Sequence, residues 1–162
     1  MILRLSVVNH DKHNNLPDSC LPLPFKSFSL HTNPVRKFTL GAKERMKSRK
    51  KIQALFAAGR SINFSPFRVI YQIRNDEGSL QLGVAVSTRQ FKKAVDRNRI
   101  KRLIREAYRL QKNELNDLLI SRNKGLDLFV IYSGKTLPEY SFVFEKTGDI
   151  LQKLSKEIHV AD

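Results

Sequence analysis

The sequence predicts an α/β (α+β) two-layer sandwich, in which about three helices pack on a single sheet. Two observations predict this class. Segments with helical periodicity and strand-like apolar runs follow one another as helix, two or three strands, long helix, strand and helix. The chain has 162 residues, of which 41% are hydrophobic, so one domain can bury a sizeable core.

Residues 1–34 differ in composition from the rest of the chain. They hold four of the six prolines, and no helical or strand period survives between them. We expect a disordered extension before a single domain over residues 35–162. A sharper hypothesis is that the extension is untranslated, with Val35 as an alternative initiator. The intact mass of the natively expressed protein tests this hypothesis.

The first half of the domain reads as a helix followed by strands. Residues 40–58 form a basic helix that ends at Gly59, a favoured residue after a helix C-terminus. Residues 67–73 and 80–86 are strand-like, and the turn signal at 75–78 predicts that they pair as a hairpin. Phe64 belongs to a short preceding strand or to a loop. The apolar residues that recur along the helix at roughly three- and four-residue spacing are Met46, Ile52, Leu55 and Phe56.

The second half contains the longest helix, from Lys92 to about Leu119. Residues 126–132 are almost continuously apolar, which is typical of a strand covered on both faces. A final amphipathic helix covers residues 140–158. Its expected buried residues are Phe144, Ile150, Leu151, Leu154 and Ile158.

The formal charge of +15 lies in two windows of the sequence. Residues 36–60 carry a net charge of +8 and residues 89–109 a net charge of +7, so the remainder is neutral. Charge that serves only solubility is scattered and mixed in sign. We interpret the two windows as parts of a surface that binds a polyanion.

The long helix presents this charge on one side. At 100° per residue, a single arc holds its expected core residues, which are Ile100, Leu103, Ile104, Ala107 and Leu110. Most of the remaining circumference is cationic, and Asp96 and Glu106 are too few to pair with these cations. Arginine dominates, and its planar guanidinium binds phosphate oxygens at two points.

The stretch from Lys93 to Ala107, KAVDRNRIKRLIREA, strongly resembles the RNR signature of the bacterial ribonuclease P protein subunit. The resemblance extends from about Arg36 to Leu154. It includes the strand before the signature and the early helix. In fold, it implies one mixed four-stranded sheet in αβββαβα order, with a left-handed crossover between two parallel strands.

The resemblance implies a protein that binds a catalytic RNA and the 5′ leader of precursor tRNA. The RNA, with Mg²⁺, would perform the hydrolysis, and the protein would contribute neither a catalytic residue nor a metal ligand. The positions that match the family's contacts to the RNA subunit are Arg97, Asn98, Arg99, Lys101, Arg102 and Arg105. Those that match its leader cleft are Ile52, Phe56, Phe67, Tyr71, Ala85 and Arg89.

The sequence departs from the family pattern in two places, both in the cleft. The segment from Thr88 to Lys93 is one residue longer than the family's Lys-Lys-x-Gly stretch, and Ile52 stands where an aromatic residue is common. Tyr71 could also be shifted by one position. The RNR helix itself is unaffected.

Other functions are less consistent with the sequence. A structural RNA-binding module would share the charge but not the RNR string. A DNA-binding regulator would need a second helix in helix-turn-helix spacing before residue 93, and strands precede it instead. Membrane-surface binding is disfavoured because the cationic helices lack Trp and a broad apolar stripe. The single Cys20 and the absence of a signal peptide favour a cytoplasmic location.

Overall fold

The computed structural model describes residues 38–76 and 79–160, so the expected extension over residues 1–34 lies outside the described residues. In chain order the elements are α1 (Arg49–Ala58), β1 (Arg60–Phe64), β2 (Phe67–Arg74), β3 (Leu80–Val86), α2 (Ala94–Gln111), α3 (Asn113–Ser121), β4 (Gly125–Tyr132) and α4 (Tyr140–Val160).

The four strands form one mixed sheet in the order β1-β2-β4-β3. β1 and β2 are antiparallel, as are β2 and β4, whereas β3 and β4 are parallel. The predicted α+β class is therefore confirmed. β4 is buried along nearly its whole length, as its continuous apolar run predicts, because helices cover both faces of the sheet there.

The predicted hairpin of residues 67–73 with residues 80–86 is wrong. β4 lies between these two strands, and its Val130 pairs with Val69 on one side and Val84 on the other. β2 forms its hairpin with β1 instead, which places Phe64 at the end of a strand. A local turn signal cannot reveal that a later strand inserts, and β4 takes the centre because it is apolar on both faces.

The first helix begins at Arg49 rather than at Leu40. Residues 38–46, which we call the strap, run along the outer edge of β3. Met46 N donates to Leu82 O at 3.0 Å, and Leu82 N donates to Glu44 O at 2.7 Å. Because these backbone groups are paired with a strand, they cannot also form helical hydrogen bonds. Gly59 ends the helix as predicted, with its N–H donating to Leu55 O.

The predicted long helix is two helices, α2 and α3, divided at Lys112. The Lys112 ammonium is buried, with its residue only 5% exposed. It donates to Thr39 O and to a Glu44 carboxylate oxygen, each at 2.5 Å. These bonds tie the strap to the junction of the two helices. The helical spacing of apolar residues continues from α2 into α3, so the sequence pattern did not show where the helix is interrupted.

Two expected core positions are wrong by a small rotation of their helices. On α4, Phe144 is exposed and Val143 is fully buried, because the buried stripe follows Val143, Thr147, Ile150, Leu151, Leu154 and Ile158. On α2, Leu110 lies at the rim and Tyr108 is buried beside Ile100, Ile104 and Ala107. Burial raises the pKa of the Tyr108 hydroxyl, and the nearby Glu44 carboxylate adds to the shift.

Lys112→Met is expected to lower the free energy of unfolding by about 1–3 kcal/mol, because Glu44 and Thr39 O would lose a buried donor. Lys153→Met on α4 is the matched control. Lys153 is half exposed and pairs with Glu157 at 3.3 Å, so its loss should cost less than about 1 kcal/mol. Urea unfolding at neutral pH measures both, and equal losses would contradict the role given to Lys112.

Candidate nucleic-acid interface

A polar and mostly cationic stripe runs along the solvent side of α2. Asn98, Arg102, Arg105 and Arg109 follow one another at spacings of four, three and four residues, within about 60° of arc. Arg99 is exposed on one flank of this stripe, and Lys101 is half-buried on the other. The opposite side of α2 packs against the sheet through three buried residues, Ile100, Ile104 and Ala107. The stripe is therefore held rigidly toward solvent.

Arg97 differs from the other predicted cations because its guanidinium is already engaged. Its Nη1 donates to Phe91 O at 2.8 Å and to Lys92 O at 2.6 Å. These bonds tie the first turn of α2 to the preceding loop. The Phe91 ring is buried next to Tyr132, with ring centroids 6.0 Å apart. Arg97 thus stabilises the start of the helix whatever else it contacts.

The opposite face of the sheet carries α1 and a second, smaller core. Leu55 of α1 packs there with Met46, Ile70 and Phe129. The exposed Phe56 ring meets Phe129 edge to face, with centroids 5.1 Å apart. Phe129 can lie flat across the sheet because β3 has Gly83 beside it, where a Cβ atom would fall 2.2 Å from the ring.

Beside α1, one cross-strand row of this face stays open. It consists of Asn63, Arg68, Ile131 and Ala85, which are register partners across all four strands. Asn63 and Arg68 are exposed, and the other two are half-buried. Ile131 and Ala85 pack against the same small core as Ile52. With Ile52 and Phe56 as one wall, the row forms the floor of an open cleft.

The structure does not bring Phe67 and Tyr71 into this cleft. Both are buried, at 2% and 3% exposure, in the core on the other face of the sheet. Strand alternation gives the cleft face to Arg68 and Ile70 instead, a shift of one residue. The Tyr71 hydroxyl contacts Arg60 and Glu157, and burial together with the Glu157 charge raises its pKa.

The remaining predicted cleft residue, Arg89, is exposed in the turn between β3 and α2. Sequence reasoning missed Arg68 and Ile131. Period-two alternation could have found Arg68, because it is the charged residue in an otherwise apolar stretch of β2. No comparable signal marks Ile131, since nearly every residue of β4 is apolar.

A polar cluster lies on the same sheet face, where Gln72, Asp127 and Gln81 are register partners. Lys51 of α1 donates to Gln81 Oε1 at 3.4 Å, and Arg74 Nε lies 3.2 Å from Asp127 Oδ2. Burial raises the pKa of Asp127, although the Arg74 and Lys51 charges oppose the shift. The cluster belongs to the scaffold that holds α1.

The helices of the two basic windows, α1 and α2, lie on opposite faces of one sheet. α2 packs on the face that holds the main core, and α1 packs on the other. A single straight polyanion cannot contact both helices through the sheet. The arrangement therefore provides two surfaces, a cationic stripe on α2 and a cleft beside α1.

Within residues 38–76 and 79–160, no three His, Cys, Asp or Glu side chains are grouped closely enough to hold a metal ion. None of the helices in these ranges is both long enough and apolar enough to cross a bilayer.

Comparison with known sequences identifies one family. The sequence model of the ribonuclease P family matches residues 40–155. The ribonuclease P protein component of Porphyromonas gingivalis is 35% identical over 108 residues, which cover 65% of this chain and 79% of that protein. The component from Chlorobium phaeobacteroides is 30% identical over 137 residues, covering 77% of this chain and 90% of the relative.

Solved structures agree with the sequence relatives. The ribonuclease P protein of Thermotoga maritima has a TM-score of 0.54 and 30% identity, covering 68% of this chain and 96% of its own. The Staphylococcus aureus protein at 2.0 Å resolution has a TM-score of 0.55 and covers 70% of this chain and 95% of its own, and at 24% identity it supports the fold alone.

Proposed function

The chain belongs to the bacterial ribonuclease P protein family, and from this premise we propose which RNA each of its two surfaces binds. The protein is the accessory subunit of an endoribonuclease that matures the 5′ ends of tRNA, and its partner is the ribonuclease P RNA. The RNA subunit performs the hydrolysis. The protein's own residues act by binding and positioning.

The cationic stripe of α2 binds the RNA subunit in this proposal. The contact residues are Asn98, Arg99, Lys101, Arg102 and Arg105, together with Arg97 where its backbone bonds leave donors available. The observation that supports it is the mismatch of charge. Within the described residues, the ion pair of this helix joins Glu106 to Arg109, and no acidic side chain pairs with Arg99, Lys101, Arg102 or Arg105. A phosphate backbone supplies the missing negative charge.

The cleft beside α1 binds the 5′ leader of precursor tRNA. The proposed leader contacts keep four residues of the sequence prediction, which are Ile52, Phe56, Ala85 and, in the turn after β3, Arg89. The two buried residues of that prediction, Phe67 and Tyr71, are replaced by Arg68 and Ile131. A leader of variable sequence is best held by stacking and phosphate contacts, which tolerate any base. The exposed Phe56 ring can stack on a base, and the exposed Arg68 guanidinium can bind a phosphate.

We propose Mg²⁺ as the cofactor, held mainly by the RNA subunit. We also propose that residues 35–162 form a single ribonuclease P protein domain, because the family match over residues 40–155 lies within them. Neither DNA nor a membrane is a proposed partner.

Phe56→Ala is expected to weaken binding of precursor tRNA to the reconstituted enzyme by about fivefold to a hundredfold, the value of one stacked base. Affinity for mature tRNA should not change, because mature tRNA has no leader. Titration of wild type and variant with both RNAs measures this difference.

Ile120→Ala is the matched control, because Ile120 is also an exposed apolar residue but lies on α3. It should leave both affinities unchanged. Equal losses for precursor and mature tRNA with Phe56→Ala would contradict the leader assignment. They would leave the RNA-subunit assignment untouched.

A further inference from the structure

A cavity of about 560 Å³ opens where the strap crosses α2. Arginines supply four of its seven lining residues, with Leu40 and Leu103 as apolar walls. The arginines are Arg45 from the strap and Arg102, Arg105 and Arg109 from α2. Arg45 lies 44 residues or more before the second basic window, so sequence reasoning assigned it to the first helix and not to this surface.

The carboxylates beside this cavity are committed to other partners. Both Glu106 oxygens accept from Arg109, at 2.5 and 2.9 Å. Glu44 accepts from Lys112 at 2.5 Å and from Gly41 N at 3.2 Å. Within the part of the chain that the structure describes, no carboxylate forms an ion pair with Arg45, Arg102 or Arg105.

Two of these arginines stand close enough to repel each other. Burial lowers the pKa of Arg105, and the Arg45 charge lowers it further. Among the described residues, the Arg45 guanidinium donates from Nη2 to Leu40 O at 3.1 Å. A pair of like charges without a counter-ion is unfavourable in the free protein, and an anion placed between the two guanidinium groups would relieve the repulsion.

The scaffold fixes the pair before any ligand arrives. The backbone on either side of Arg45 is bonded to Leu82 of β3, through Glu44 O and Met46 N. Lys112 anchors the same strap to the end of α2. Arg105 is carried by a helix that is buried against the sheet. Because the backbone that carries both arginines is already fixed, little conformational entropy is lost when a ligand binds, which favours high affinity.

We propose that Arg45 and Arg105, with Arg102 beside them, form a seat for one backbone phosphate of the ribonuclease P RNA. This rests on the proposed function, since it takes the phosphate from the RNA that the α2 stripe binds. Arg102 and Arg105 belong to that stripe, so an RNA strand that lies along α2 can contact the stripe and the seat together. The RNA surface therefore extends from the RNR helix onto the strap.

The test measures affinity for ribonuclease P RNA across a range of salt for wild type, Arg45→Gln, Arg105→Gln and the double variant. Arg45→Gln should weaken binding about tenfold and lower the slope of log affinity against log salt by about one. Because both residues serve one phosphate, the double variant should lose much less than the product of the two single losses. Lys156→Gln on α4 removes the same charge from an exposed site and should leave the slope unchanged.

A structural role for Arg45 is distinguished by the thermal midpoint of the free protein. The seat predicts that Arg45→Gln keeps or raises the midpoint, because repulsion with Arg105 disappears. A lowered midpoint with an unchanged salt slope would overturn the proposal. So would independent, fully multiplicative losses in the double variant.

Inorganic phosphate distinguishes the source of the anion. If phosphate at constant ionic strength stabilises the wild type and RNA affinity does not depend on Arg45, the seat serves a free ion and the RNA assignment is refuted. The proposed function fails separately, if the wild type binds ribonuclease P RNA no better than DNA of equal length. If the proposed function fails in this way, substitution of Arg99 would also lower the affinities for ribonuclease P RNA and for DNA equally.

Discussion

Replacing Arg99 and Arg102 together by glutamine is expected to weaken binding of the ribonuclease P RNA by about a hundredfold or more. Both side chains are exposed on α2, and within the described residues neither forms an ion pair or a side-chain hydrogen bond. Each charge-assisted bond to phosphate contributes about 1.5–3 kcal/mol. The slope of log affinity against log salt should fall by about two, one for each phosphate contact.

The choice of these two positions follows from the structure. Arg97 also belongs to the RNR string, but its bonds to Phe91 O and Lys92 O stabilise the first turn of α2. Its loss would mix folding with binding. The control is Lys153→Gln with Lys156→Gln, which removes two exposed charges from α4. An unchanged slope in the Arg99 and Arg102 variant would show that the stripe does not face phosphate.

Phe129→Ala is expected to lower the free energy of unfolding by about 3–5 kcal/mol, the usual cost of removing a buried aromatic ring. Phe129 is 7% exposed and lies between α1 and the sheet, against Phe56, Leu55 and Ile70. Its loss removes the ring against which α1 packs. Leader binding should therefore weaken together with stability, because α1 carries one wall of the cleft.

Gly83→Ala tests the same packing from the neighbouring strand. A Cβ atom there would fall 2.2 and 2.5 Å from ring carbons of Phe129, so the ring must move, at a cost of about 1–3 kcal/mol. In the Phe129→Ala background the collision is gone, and the same substitution should cost almost nothing. Gly41→Ala, which meets nothing within 4 Å, is the control. Additive losses from Gly83→Ala and Phe129→Ala in urea unfolding would contradict this account.

The α2 surface was largely predictable from sequence, because one face of a helix must be apolar and the rest is free to carry charge. Ile100, Ile104 and Ala107 are buried as the periodicity predicts, and Asn98, Arg99 and Arg102 are exposed. A stripe of this kind depends only on the local helix and not on the partner strands. The RNR string could therefore be placed without knowing the sheet.

The cleft was less predictable for a physical reason. Alternation puts Ile70 on the same face of β2 as Arg68, and Phe67, Val69 and Tyr71 on the other face. Because both faces carry buried apolar residues, it does not say which of the two faces α1 covers. That choice depends on Ile70 meeting Leu55 and Phe129, which are distant in sequence. The strand order depends in the same way on β4, which is synthesised after both strands that it separates.

The strap was hidden because its interactions are also long-range. Lys112 bonds to Thr39 O and Glu44, about 70 residues earlier, and Met46 pairs with Leu82. The basic residues of this segment continue into those of α1, so charge and periodicity did not separate the two. Arg45 could therefore be placed beside Arg105 only from the folded structure.

Reconstitution with the ribonuclease P RNA tests the central claim most directly. The rate of 5′ leader removal from a precursor tRNA is measured at low Mg²⁺ with RNA alone, with protein alone and with both. The account predicts cleavage at the mature 5′ end only when both are present, and none from the protein alone. Cleavage by the protein without the RNA, or an RNA whose activity the protein leaves unchanged, would contradict it.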